Sequence, residues 1–207
     1  MPNLKSQIEN LKKSPIKEVV DKRIKEFEAF GNKKQDEVFS ELCFCLLTAN
    51  FQAEKCIQIQ TEMSRDFKII SKEELAKKLK QIGHRFWPQR AERIVEARDC
   101  KTELCSLVFK KSGIEMREWL VKTVKGLGMK ESSHFLRNVG YKDLAIIDFH
   151  IVDLLEREKL IERPKTITPK KYLEIEEVLT KLGKEVNLNL AELDLYLWYL
   201  ETGKILK

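Results

Sequence analysis

"VKGLGMKESSHFLRNVGYKDLAIIDFHI", residues 124–151, sets two glycines around one leucine, then a lysine, and eighteen residues later an aspartate. Upstream, "EMREWLVKTVK" (115–125) has Met116, Trp119, Leu120 and Val124 on one face, the pattern of an amphipathic helix. Downstream, Phe135, Leu136 and Val139 repeat that spacing. Only "GLGM" lies between, too short for anything but a hairpin of two helices. Glycines at 126 and 128 admit positive φ without a Cβ clash, and Leu127 can point inward to lock the turn. The predicted hairpin covers about 115–139.

The rest of the chain is read the same way. "IKEVVDKRIKEFEAF", "DEVFSELCFCLLTA", "AEKCIQIQTEM" and "RAERIVEARDC" place apolar residues at helical spacing. Ser71 with Glu74 forms a capping-box pattern, and Thr168-Pro169 marks another helix start. Gly83, Gly113, Gly140 and Gly183 fall where helices should stop. Alternating runs are scarce: "FKIIS" is short and "LAIID" is ambiguous. No repeat, low-complexity tract or linker divides the 207 residues. The expectation is an all-α chain of ten or so helices, a single domain over 1–207 with two helical subdomains.

Composition narrows the function classes. With 43% hydrophobic and 35% charged residues the chain reads as globular, not disordered. The net charge of +6 favours a polyanionic partner, though mildly. No apolar run reaches the roughly 20 residues that span a bilayer. "MPNLKSQIENLKKS" lacks the apolar centre of a signal peptide. The expected setting is the cytoplasm, with no membrane partner. Cys43, Cys45, Cys56, Cys100 and Cys105 are odd in number with no repeated CxxC pair, so they are read as buried thiols. His84, His134 and His150 show no ligand spacing, and each is given a surface or capping role. Neither a metal nor a cofactor is expected.

Two residues raise the hairpin above a generic turn. Backbone N–H groups of a glycine turn and of the next helix's first turn can approach a phosphate closely, which grips DNA without reading its sequence. Lys130 falls in that first turn, where the macrodipole disfavours a cation and so favours the neutral amine that Schiff-base chemistry needs. Asp148 follows four apolar residues at the start of an apolar helix. It can cap that helix and serve as a carboxylate in a dry cleft beside Lys130, since capping would fix its orientation.

These residues resemble the signature of the helix-hairpin-helix DNA glycosylases, the superfamily that includes endonuclease III: a hairpin of the form L-P-G-V-G-x-K, then an Asp in a V-D-x-H-V context. Lys130 matches the lysine of the bifunctional members and Asp148 the family's aspartate. Lys125 stands where proline is usual, and the C-terminal four-cysteine cluster of endonuclease III is missing. The short length and the ending "DLYLWYLETGKILK" are most similar to the archaeal-type, or type 2, 8-oxoguanine DNA glycosylase/lyases. The resemblance implies a two-lobed helical fold with an interlobe active-site cleft, and double-stranded DNA with a damaged base as partner. It also implies a monomer that flips out and excises 8-oxoguanine, then nicks the strand.

Further site residues are expected on that basis. "IGHRFWPQRAERIVEA" (82–97) combines Arg85, Phe86, Trp87 and Arg90, adjacent aromatics between basic residues that suit a wedge into the base stack or a stacking wall in the pocket, with Phe86 ahead of Trp87. In "LTANFQAEKC" (47–56), Asn50, then Gln52, occupies the place where relatives fill the void beside the orphaned base. Asp194 is the one charge on "LDLYLWYL", a helix expected to be buried, so it needs a partner such as a purine edge, an Arg or a helix terminus. Trp198 could supply a stacking face, and Lys207, the last residue, is a pocket candidate through the family. His150, beside the aspartate, is given a structural task. Two alternatives stay open: a non-enzymatic helix-hairpin-helix DNA-binding module, and the same fold acting on oxidised pyrimidines.

Overall fold

A buried helix needs apolar residues on every face, and residues 38–48 supply them. In the computed structural model, which describes residues 3–207 apart from the Asn32 side chain, every residue from Val38 to Thr48 is buried. Met1 and Pro2, the start of the segment read as lacking a targeting signal, lie outside the described residues. The described chain holds thirteen α-helices and one 3-10 turn, Ala29–Asn32, and no strand. None of the helices is long and apolar enough to cross a membrane. The all-α expectation holds. The helix count was low because Leu4–Lys12, Asp66–Ile69 and Lys101–Leu107 are too short to show clear periodicity.

The chain forms two compact units, one of residues 1–29 with 140–207 and the other of residues 30–139. The first begins with α1 (Leu4–Lys12) and α2 (Ile16–Glu28). The second contains α3 (Gln35–Thr48), α4 (Ala53–Met63), α5 (Asp66–Ile69), α6 (Lys72–Gln81), α7 (Trp87–Ala97), α8 (Lys101–Leu107), α9 (Gly113–Thr123) and α10 (Met129–Asn138). The chain then returns to the first unit for α11 (Phe149–Arg157), α12 (Pro169–Glu185) and α13 (Leu190–Thr202).

In the 30–139 unit α3 is the central rod, packed by α4, α7, α8 and α10. The one carboxylate in its buried stretch, Glu41, is 1% exposed. It accepts from Asn138 Nδ2 at 2.6 Å and from Gln60 Nε2 at 3.1 Å, which offsets the desolvation of a buried charge. Residues 132–138 of α10 are buried without exception. The hairpin's second helix is therefore seated along its length, and its N-terminus inherits that rigidity. Caps start the flanking helices as the sequence suggests: Ser71 accepts from the Glu74 N–H, and Ser112 pairs with Glu115 in a full capping box.

In the other unit, Val20, Ile24 and Phe27 of α2 pack on Ala191, Leu195 and Tyr196 of α13. "LAIID" resolves as extended chain leading to α11, with Leu144, Ala145, Ile146 and Ile147 all buried. "FKIIS" is no strand: Asp66 to Ile69 form the short turn α5, with Phe67 buried. Gly83 and Gly140 follow α6 and α10 as expected, but two other glycines do not end helices. Gly113 opens α9 behind its Ser112 cap. Gly183 lies within α12, where a Cβ would come 2.8 Å from the Leu188 carbonyl oxygen. The stop falls later, at Val186, and Asn187 takes the left-handed conformation with φ 53°.

Gly183→Ala tests that close approach. Alanine's helical advantage of about 1 kcal/mol is outweighed by the overpacking penalty of about 1–3 kcal/mol. Urea unfolding is expected to show a net loss of stability, whereas a gain would mean that the Leu188 backbone yields freely.

Candidate active site

The hairpin turn follows from one backbone angle. Gly126 has φ 100°, and a Cβ there would meet the Arg93 side chain at 3.1–3.3 Å. Arg93 of α7 thus packs directly on the turn. Leu127 points inward at 5% exposure, as expected. Gly128 departs from expectation: its φ of −100° is open to any residue. It serves as the N-cap of α10, where its own N–H donates to Glu131 Oε2 at 3.4 Å. Its contribution is the lack of a side chain in front of the helix's unpaired N–H groups.

Lys130 is the second residue of α10, with 26% of its side chain exposed and Nζ 3.7 Å from Glu131 Oε1. Glu131 escaped the sequence reading, although its place in the first helical turn could have drawn attention to it. Cys56 senses the charges of both Arg90 and Lys130, yet burial pushes its thiol up to about 12. Cys43 and Cys45 are buried as expected, while Cys100 and Cys105 are only half-buried. All five thiols are unpaired with one another. The described residues contain no group of three potential metal ligands.

Two corners of the same unit hold the other candidates. Asn50 is exposed with φ 58°, and exposed Gln52 caps α4 without a side-chain bond. Arg85 is exposed, and half-buried Phe86 lies between the guanidiniums of Arg85 at 5.2 Å and Arg90 at 5.7 Å. Trp87 instead turns toward Lys80, 5.2 Å from its ring. His84 was expected at the surface or at a cap and is 1% exposed. Its ring accepts the Phe86 N–H and bonds Leu47 O, so the side chain is used up in internal contacts. His134, given the same role, is also buried and lies edge-on to Phe44.

The 1–29/140–207 unit carries the aspartate. Asp148 is half-buried, and its Oδ1 accepts the Ile151 N–H at 3.0 Å as N-cap of α11. One oxygen is occupied by the cap, which orients the other. The extended residues before it cannot pair with a sheet, so their buried amides need side-chain partners. Two residues of α12, one turn apart, supply them. Tyr172 Oη donates to Ala145 O at 2.7 Å and accepts the Ile147 N–H at 3.2 Å. Glu176 Oε2 accepts the Ala145 N–H at 2.8 Å. Their four-residue spacing was visible in the sequence, but that their partner would be main chain was not.

Next to Asp148, Phe149 is 68% exposed. His150 is exposed and stands edge-on to Trp198, with centroids 5.3 Å apart. Asp194 is half-buried, not buried, because it shares with Trp198 a stripe of α13 that α2, α11 and α12 leave partly uncovered. It lines an apolar cavity with Ile146, Ile151 and Leu193. Trp198 Nε1 is buried without a hydrogen-bond partner, and Lys207 is half-buried.

Helices throughout, a glycine-turned hairpin with a lysine at its second helix and a capping aspartate beyond it define a helix-hairpin-helix DNA glycosylase. The family model described as 8-oxoguanine DNA glycosylase matches residues 20–188, and the chain belongs to that family. The Methanocaldococcus jannaschii protein named 8-oxoguanine DNA glycosylase/AP lyase is 54% identical over 202 residues, covering 97% of this chain and 98% of that one. The crystal structure of the M. jannaschii enzyme in complex with a 15mer DNA containing 8-oxoguanine superposes with a TM-score of 0.96, covering 99% of both chains at 54% identity. That of the Thermotoga maritima 8-oxoguanine DNA glycosylase gives 0.93 at 43% identity, covering 99% of this chain and 98% of that one.

Tyr172→Phe removes one hydroxyl that satisfies two buried backbone groups. A stability loss of about 1–3 kcal/mol is expected by thermal or urea unfolding. An unchanged midpoint would mean that the 144–147 segment is held by packing alone.

Proposed function

We infer that this chain is a base-excision repair enzyme, a bifunctional glycosylase and AP lyase that removes 8-oxoguanine from double-stranded DNA. The observation that carries the reading is Lys130 in the first turn of α10, behind a side-chain-free N-cap, in a chain of this family. A base inside a duplex is out of reach, so the damaged nucleotide must be extruded first. Unpaired N–H groups at the start of α10 are suited to a DNA phosphate near that nucleotide.

The neutral Lys130 amine attacks C1′ of the sugar. The N-glycosidic bond breaks, its electron pair leaves with the base, and the departing base takes up a proton. Ring opening of the resulting aminal gives an imine between Nζ and C1′. Loss of a C2′ proton then expels the 3′ phosphate by β-elimination and nicks the strand; water releases the lysine. The Asp148 carboxylate is assigned to stabilise positive charge developing on the sugar, in the orientation its cap sets. Arg85 and Phe86 are assigned to the space in the stack, Asn50 and Gln52 to the orphaned base. Asp194, Trp198 and Lys207 are assigned to the extruded base. Every step needs one chain only, so the monomer, in the cytoplasm, is the form proposed to act.

Lys130→Gln should abolish borohydride trapping of a covalent adduct on 8-oxoguanine duplexes, and trapping at the wild-type level would refute the role. Wild-type binding without cleavage on every defined lesion would instead favour a DNA-binding module. Asp148→Asn separates cap from catalyst, because asparagine caps as well as aspartate. Stability should change by less than about 0.5 kcal/mol, while excision falls by about 10²–10³-fold. Equal excision by this variant would leave Asp148 with a capping role only.

A further inference from the structure

The corner at 49–52 and the corner at 84–86 are fastened to each other by side chains with no part in the chemistry above. Arg90 Nη2 donates to the Ala49 carbonyl at 2.6 Å. The His84 ring lies 4.0 Å from the Phe51 ring, tilted by 35°. Its Nε2 is 3.1 Å from Leu47 O, and its Nδ1 is 3.2 Å from the Phe86 N–H. Since Nδ1 accepts from an amide, the ring's single proton sits on Nε2 and is donated to Leu47. One neutral imidazole thus spans from the end of α3 to the backbone of Phe86. Burial lowers its pKa, which keeps the ring neutral, and the Phe86 N–H sets the tautomer.

Arg90 is the more telling of the two. It is 9% exposed, its Nε has no hydrogen-bond partner, and its acceptor is a carbonyl, not a carboxylate. The charge of Glu131 favours the guanidinium but forms no ion pair with it, so the burial stays expensive, and packing alone would be served better by an apolar side chain. What the guanidinium adds is reach: its Nη2 grips the Ala49 corner while its Cζ lies 5.7 Å from the centre of the Phe86 ring. Asn50, next to the gripped carbonyl, holds a left-handed φ of 58°, which turns the chain at this corner and which asparagine tolerates.

We propose that His84 and Arg90 are positioning residues that lock the Asn50–Gln52 corner and the Phe86 corner into one rigid body, so that wedge and void-filling side chains enter the duplex as a unit. The proposal rests on the reading that Phe86, Asn50 and Gln52 touch DNA. Its consequence is selective: base extrusion depends on the clamp, whereas attack on an already exposed sugar does not.

The experiment compares two substrates for the full chain. Extrusion is followed by 2-aminopurine fluorescence beside 8-oxoguanine in a duplex, together with single-turnover excision. Attack alone is followed by borohydride trapping on a single-stranded oligonucleotide with an abasic site. Arg90→Met and His84→Ala should slow duplex extrusion and excision by about tenfold or more and leave single-strand trapping within about twofold. Arg90→Lys, which keeps one donor for Ala49 O, should recover part of the duplex rate. Should His84→Ala fail to melt cooperatively, Phe51→Leu at a half-buried position replaces it, with the same selective loss expected. Parallel losses on both substrates, or no loss on the duplex, would overturn the proposal. Phe86→Ala tests the underlying reading separately. If it leaves extrusion unchanged, the wedge assignment fails; if it slows extrusion while the clamp variants do not, the clamp alone fails.

Discussion

The turn at Gly126 is the constraint on which the 30–139 unit depends. A φ of 100° reverses the chain there, with the Arg93 side chain filling the space where any other residue would carry its Cβ. That reversal aims the N-terminus of α10 outward while residues 132–138 stay buried. The free N–H groups and Lys130 are therefore presented from a helix that cannot easily shift. A lysine in the first turn of a surface helix would be an ordinary charge. Here Lys130 stands at the N-terminus of a seated helix, with Glu131 Oε1 3.7 Å from its Nζ.

Backbone satisfaction organises the 1–29/140–207 unit in a similar way. An extended, buried segment with no sheet to join must find partners elsewhere, and α12 provides them through Tyr172 and Glu176. The segment ends at Asp148, whose carboxylate is fixed by the first turn of α11. Orientation of the aspartate is thus set by hydrogen bonds to main chain on both sides. Within the 30–139 unit, α7 has a comparable linking role: Phe86 caps its start, Arg90 reaches the 49–52 corner and Arg93 supports the hairpin.

Local rules made the fold class and the hairpin legible, because 3.6-residue periodicity and helix caps are encoded within a few neighbouring residues. The same rules identified Asp148 as a cap before its partner Ile151 was seen. They failed where distant contacts decide. Gly183 looks like a stop but is needed for the approach of Leu188. "FKIIS" alternates like a strand but is a helical turn around buried Phe67. His84 and His134 look like surface residues because nothing local announces the elements that bury them. Gly128 looks like a second conformational glycine, yet of the two hairpin glycines only Gly126 takes a positive φ. Tyr172, Glu176 and Glu131 were missed, and Arg90 was taken for a basic flank of the wedge aromatics, for one shared reason: each takes its meaning from a backbone group or charge beyond its own sequence pattern.

The central claim is that the amine of Lys130, among the many lysines of this basic chain, forms the bond to the sugar. Mass-spectrometric mapping of the borohydride-reduced adduct from an 8-oxoguanine duplex tests it most directly. The account predicts the deoxyribose-derived mass on the peptide containing Lys130, with fragment ions that place it on that side chain. A modification carried by any other lysine, or by the chain's terminal amine, would contradict it.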